Sequence, residues 1–175
     1  CNTKWQGSPL MAISFHVASV KYVNKLIESK QFDTLISICH PNGIDDLPYV
    51  GTDWAGNKLP HGLVVGIPDN TPFSRDRKGL GLPTGEQVLR VIEFARSLPD
   101  GAQVLLHCKR GRSRSPAVLL TVLAARGMME KEAVRQLLTN CPKATPNGWI
   151  LKLADAILDV KLFHYASLAG IVKWK

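Results

Sequence analysis

Apolar positions in this chain fall into short continuous runs and into runs of helical period. Ile13 to Val17 reads as a first strand. Behind Ser19, Val20, Val23, Leu26 and Ile27 recur at helical spacing, which predicts a helix capped by that serine and running to about Ser29. Phe32 to Cys39 is β-branched and apolar, the pattern of a buried strand. Leu63 to Ile67, closed by Pro68-Asp69-Asn70, is another. Pro41, Asn42, Gly43, Pro48 and Gly51 predict a long irregular segment between these two strands, and Pro72, Gly79, Gly81 and Pro83 an exposed loop over 70–83.

Thr84 and Gln87 stand at capping-box spacing and open a helix to about Ser97, with Val88, Val91, Ile92 and Ala95 as its inner face. Asp100-Gly101 turns the chain into Gln103 to Leu106, a strand that leads straight to His107-Cys108. Ser115 and Pro116 suit the N-cap and first position of the next helix. That helix is almost wholly apolar from Ala117 to Ala125, hence central and buried, and Gly127 ends it. Helices over about Glu130 to Asn140 and Gly148 to Leu162 follow, then an apolar tail with a basic end, Phe163 to Lys175. This alternation predicts a single α/β domain with a central, mostly parallel sheet flanked by helices.

The 175 residues suit one domain, with 1–10 read as an N-terminal extension and 11–175 as the domain proper. Met11 is a candidate start, and the residues before it a candidate cloning remnant. An apolar fraction of 45% with 21% charged residues is that of a globular protein. No apolar run reaches the ~20 residues of a membrane span, and residues 1–10 lack a signal peptide's apolar stretch. The four cysteines are scattered, which points to a reduced, cytoplasmic setting. His16, His40, His61 and His164 lack ligand spacing, so no metal or cofactor is implied. Trp54, Trp149 and Trp174 are read as packing residues.

A formal charge of +8 favours an anionic partner. Nucleic acid is not expected, because no basic-aromatic stripe or recognition helix is present. The placement of charge says more than its sum, since four basic side chains crowd Lys109 to Arg114. They lie in the loop His107-Cys108-Lys109-Arg110-Gly111-Arg112-Ser113-Arg114-Ser115, between a strand and a helix. That position aims backbone N–H groups and the helix dipole into the loop, where they favour a thiolate over a thiol and can hold phosphoryl oxygens. Gly111 lets the backbone bend around an anion. Arg114 can grip two phosphate oxygens with its planar fork, as a lysine cannot. Ser115 is placed to hydrogen-bond a departing thiolate, and His107 to fix the loop. No Gly-Lys-Ser/Thr motif is present, which excludes an ATPase phosphate loop.

Cysteine, five residues, arginine, then serine, with histidine and an apolar strand before, resembles the signature of protein tyrosine and dual-specificity phosphatases. The likeness spans most of residues 13–160. Ala144-Thr145-Pro146-Asn147 and Leu153-Ala154-Asp155 are similar to small bacterial members, with Asn147 and Asp155 read as non-catalytic. The resemblance implies a phosphocysteine intermediate on Cys108, with Arg114 and Ser115 catalytic and His107, Lys109, Arg110, Gly111, Arg112 and Ser113 lining the substrate site. It also implies one aspartate as general acid and then base, on a loop roughly thirty residues before the cysteine. Asp69 has the better context, just after a strand, but lies 39 residues ahead; Asp76 lies 32 ahead, deeper in the loop. Asp69 is favoured and Asp76 is the alternative.

Lys109 and Arg112 match basic positions of tensin-like lipid phosphatases, and Lys109-Arg110-Gly111 resembles atypical phosphatases acting on inositol pyrophosphates. A phosphotyrosine protein stays ahead of phosphoinositides and inositol polyphosphates as substrate. Two further possibilities remain open: a module that binds phosphate without hydrolysis, and Cys39 as a redox partner of Cys108, as in the tensin-like enzymes.

Overall fold

The computed structural model describes residues 13–29, 31–41, 61–74 and 79–174. The extension at 1–10, most of the irregular segment after Cys39, Trp54 and Asp76 lie outside them.

Among the described residues four strands form one sheet: β1 (Ser14–Ser19), β2 (Thr34–Cys39), β3 (His61–Gly66) and β4 (Gln103–Cys108), in the order β1-β4-β2-β3. Every pairing is parallel. The register sets Ser19 beside Cys108 and Ser37 beside His107. β2 is buried along its whole length because it has a strand on each side and helices on its faces, as its unbroken apolar run predicts.

Helix α1 (Val20–Glu28) packs on β1 and β4 from one face, over a small core of Ala18, Val23, Ile27, Leu35 and Leu105. Helices α2 (Gly85–Ser97), α3 (Arg114–Ala125), α4 (Glu130–Asn140), α5 (Gly148–Leu158) and α6 (Leu162–Leu168) gather around the larger core, which includes Ile36, Val104 and Leu106. Leu35 and Ile36, or Leu105 and Leu106, thus serve opposite faces, as the two-residue period of a strand requires. The capping box forms as expected: Gln87 N–H donates to Thr84 Oγ1 and Thr84 N–H to Gln87 Oε1. Val88, Val91, Ile92 and Ala95 are the buried face of α2.

Two boundaries differ from expectation. Helix α3 starts at Arg114 with Ser113 at its N-cap, two residues before the predicted Ser115 cap. Ser115 is fully buried, and its hydroxyl is turned toward Cys108 instead. The helix predicted over 148–162 breaks at Asp159, whose backbone is left-handed (φ 55°). The Asp155 carboxylate then accepts the N–H groups of Leu162 and Phe163 and so caps α6, drawn from the tail. Burial pushes the Asp155 pKa up despite these bonds.

No helix among the described residues is long and apolar enough to cross a membrane.

Candidate active site

A parallel sheet gathers its chemistry beyond the carboxyl ends of its strands, and β4 ends there at Cys108. The loop that follows needs a residue with positive φ. Gly111 supplies it at φ +68°. A Cβ at this position would also lie 2.8 Å from the carbonyl carbon and oxygen of Ala18 and 2.9 Å from Ser19 N, so no side chain fits. The close approach packs the loop onto the end of β1, and it turns Gly111 N–H toward Cys108 Sγ at 3.3 Å. Ser115 Oγ donates to the same sulfur at 3.1 Å. Two donors therefore converge on one buried sulfur, the arrangement that suits an anionic acceptor.

The outer side of the loop is tied down by the segment before α5. Thr145 N–H donates to Arg112 C=O at 2.7 Å, and Asn147 N–H to Ser113 C=O at 3.2 Å. A trans peptide points its N–H opposite to its C=O. With these carbonyls turned outward, the N–H groups of Ser113 and Arg114 face inward, at the start of α3. The loop is thus a cradle of donors for an oxyanion.

Arg114 is buried, and its Nη1 donates to Cys39 C=O at 2.8 Å and Ile67 C=O at 3.1 Å. These carbonyls belong to the last residue of β2 and the residue just after β3, which hold one side of the guanidinium. Nε is buried without a partner. A buried donor left unpaired is costly, so the Nε side of the fork is the side available to a bidentate oxyanion.

The sequence-predicted residues separate into three groups. Gly111 and Ser115 converge on Cys108 as expected, and Arg114 follows at the start of α3 with its guanidinium bound to Cys39 and Ile67. Lys109, Arg110 and Arg112 are exposed. Arg110 and Arg112 line a groove of about 880 Å³, shared with Lys25 and Tyr22 of α1 and with Lys143. His107 and Ser113, read as substrate-lining, turn elsewhere. The His107 ring lies in the sheet layer, 2.7 Å from Ser37 Oγ through Nε2, because alternation along β4 turns it away from Cys108. Burial, and then the Arg114 charge, lower its pKa to about 4, so the ring is neutral near pH 7. Ser113 Oγ donates to Asp69 Oδ1 at 2.7 Å.

That bond brings the loop after β3 against the signature loop. Three further contacts fix Asp69. Asn147 Nδ2 donates to Oδ1 at 3.3 Å, and Lys173 Nζ lies 3.1 Å from Oδ2 and donates to the backbone carbonyl at 3.1 Å. Asn147 is fully buried; its Nδ2 also reaches Asn70 C=O, and its Oδ1 caps α5 by accepting the N–H groups of Trp149 and Ile150. Sequence reasoning set Asn147 aside and gave Lys173 no role. The Asn147-Gly148 cap ahead of an apolar helix was the one available signal for the first; for the second there was none.

Cys39 and Cys108 are both free. The Cys39 thiol is directed to Val65 C=O of β3 at 3.6 Å, not to Cys108, and burial raises its pKa. This geometry lends no support to a redox pair. Trp149 and Trp174 pack against each other, and Trp174 against Phe163, as packing residues should.

The Cys108–Arg114 loop supports a cysteine-dependent phosphatase. No family model matches the chain, and no curated protein matches it. Among solved structures, Tk-PTP in its active form is 22% identical with a TM-score of 0.57, covering 84% of this chain and 91% of that one. Human DUSP28 is 17% identical with a TM-score of 0.56, covering 87% and 90%. PTPMT1 in complex with PI(5)P is 17% identical with a TM-score of 0.55, covering 90% and 94%. At these identities the likeness is one of fold: a cysteine-phosphatase-type α/β domain. None of the three names a bacterial source, so the bacterial affiliation gains nothing from them.

Proposed function

We propose that this chain hydrolyses phosphomonoesters through a phosphocysteine intermediate on Cys108, with phosphotyrosine proteins as its first substrate class and phosphoserine or phosphothreonine proteins beside them. The observation that carries the reading is the convergence of Gly111 N–H and Ser115 Oγ on Cys108 Sγ. Asp69 is held at the edge of the same loop by Ser113.

In the first step Cys108 Sγ attacks phosphorus, and the phosphoester oxygen leaves with a proton from Asp69. The loop N–H groups and the Arg114 fork hold the three non-bridging oxygens, where charge is greatest in the transition state. In the second step Asp69, now a carboxylate, takes a proton from water as that water attacks phosphorus. The S–P bond breaks, and Ser115 stabilises the departing thiolate. Each turnover consumes one water and releases inorganic phosphate and the alcohol or phenol.

The exposed cations around the groove of Arg110, Arg112, Lys25 and Lys143 favour a second reading, a phosphoinositide or inositol polyphosphate as substrate. Turnover on a phosphotyrosine peptide, a phosphoinositide and an inositol polyphosphate ranks the two. Cys108→Ser should abolish hydrolysis while keeping phosphate binding. Absence of turnover in the wild type on all three, with binding retained, would make the chain a phosphate-binding module instead.

A further inference from the structure

The segment Ile171 to Trp174 is bound across the loop that carries Asp69. Lys173 N–H donates to Pro146 C=O at 2.8 Å, and Gly148 N–H to Lys173 C=O at 2.9 Å, which makes a parallel bridge between Asn147 and Lys173. Thr71, two residues beyond Asp69, donates its Oγ1 proton to Trp174 C=O at 3.0 Å. The Trp174 ring sits among Phe73, Trp149 and Phe163, with centroids 5.5, 6.4 and 5.0 Å away, and Lys152 Nζ lies 5.1 Å from its centroid. The fit is close: a Cβ on Gly148 would come within 2.5 Å of the Trp174 ring and 2.7 Å of Val172.

This packing delivers one ammonium to one carboxylate. Lys173 Nζ is 3.1 Å from Asp69 Oδ2 and 3.1 Å from the Asp69 carbonyl oxygen, while Ser113 and Asn147 hold Oδ1. Both partners of the ion pair are about one-third exposed. A pair so open to solvent adds little to stability, so a stability role does not account for it. What it does fix is the position and rotamer of Asp69. With one oxygen held by two donors and the other by Lys173, the carboxyl plane is set from both sides.

We infer that Lys173 is a positioning residue for the general acid, and that the segment 171–174 is the strap that carries it. The inference rests on the reading of Asp69 as that acid. A phosphoester with a poor leaving group needs the proton; one with a good leaving group departs as the anion and does not. Misplacing the acid must therefore cost rate in proportion to the leaving group's basicity.

The test is kcat/KM, which reports the steps up to loss of the leaving group, on phenyl phosphate and on 4-nitrophenyl phosphate. It is measured for wild type, Lys173→Met, Lys173→Arg, Trp174→Ala and Asp69→Asn, with a thermal melt of each. Lys173→Met is expected to lose on the order of tenfold on phenyl phosphate, part of the about 100-fold that a misplaced group can cost, and to change little on 4-nitrophenyl phosphate. Lys173→Arg should restore most of that loss, and Trp174→Ala should mimic Lys173→Met. Equal losses on both substrates, or a rise on phenyl phosphate, would overturn the proposal. If Asp69→Asn still shows the leaving-group dependence, the reading of Asp69 stands and only the strap's role falls. If Asp69→Asn shows none, both fall together.

Discussion

Ser113 and Asp69 join the signature loop to the loop after β3: the serine hydroxyl donates to Asp69 Oδ1 at 2.7 Å across 44 residues of sequence. The serine is the N-cap of α3 and lies one residue from Arg114. Its side chain caps nothing in its own helix and is spent on the aspartate.

From this contact, Asp69→Asn should lower turnover by about 10²- to 10⁴-fold, the span of general acid–base catalysis. Ser113→Ala should lose less, because Asn147 and Lys173 still hold the carboxylate. A fully active Asp69→Asn would transfer the role to Asp76. Steady-state kinetics of the variants decide it.

Ser115→Ala removes a buried donor to Cys108 Sγ and leaves Gly111 N–H in place. A hydrogen bond to a charged group is worth roughly 1.5–3 kcal/mol. Breakdown of the phosphocysteine should slow by on the order of 10- to 100-fold, while its formation changes little. The signature is a burst of released phenol followed by a slow steady state, seen by rapid mixing, with kcat falling and kcat/KM nearly kept. A proportional fall in both would refute the assignment of Ser115 to the second step.

Gly111→Ala should disable the loop without unfolding the domain. The substitution meets a left-handed backbone and three backbone atoms at 2.8–2.9 Å. The backbone strain alone is of order 1–3 kcal/mol. Loss of vanadate or phosphate binding, with a melting temperature lowered by a few degrees, is the expected outcome. Normal phosphate affinity in this variant would mean that the loop adapts.

His107 should make stability depend on pH at the acid side. Its pKa is about 4 when folded, against an ordinary histidine value of 6.5. Between these values the unfolded chain binds a proton that the folded one excludes, so stability falls as pH drops from about 6.5 to about 4 and levels off below that. The full loss is about 3 kcal/mol. Denaturant titrations at pH 7 and pH 4.5 should show it, and the difference should shrink in His107→Asn. An unchanged pH dependence in the variant would place the titrating group elsewhere.

Local patterns were legible in the sequence because local physics sets them. The apolar runs of β2 and β4, the Thr84–Gln87 capping box and the apolar core of α3 each act over a few residues, and each appears where the pattern put it. The signature loop is local as well: five residues between Cys108 and Arg114 are what a cradle at a strand–helix junction requires. The capping serine of α3 was misread because Ser113 and Ser115 both suit a helix start. The choice between them was made by a partner, the Cys108 sulfur, that caps no helix.

The sequence by itself determined the Cys108–Arg114 spacing of the signature loop and the α/β order that sets it between a strand and a helix. Tertiary structure decided how the Asp69 loop is held. Asn147 and Lys173 meet Asp69 across 78 and 104 residues, through a helix cap and a strap that no periodicity announces. It also decided that His107 faces Ser37 in the core, because strand alternation turns neighbouring side chains to opposite sides. Contacts of that range depend on where whole elements pack, and that information is spread over the entire core.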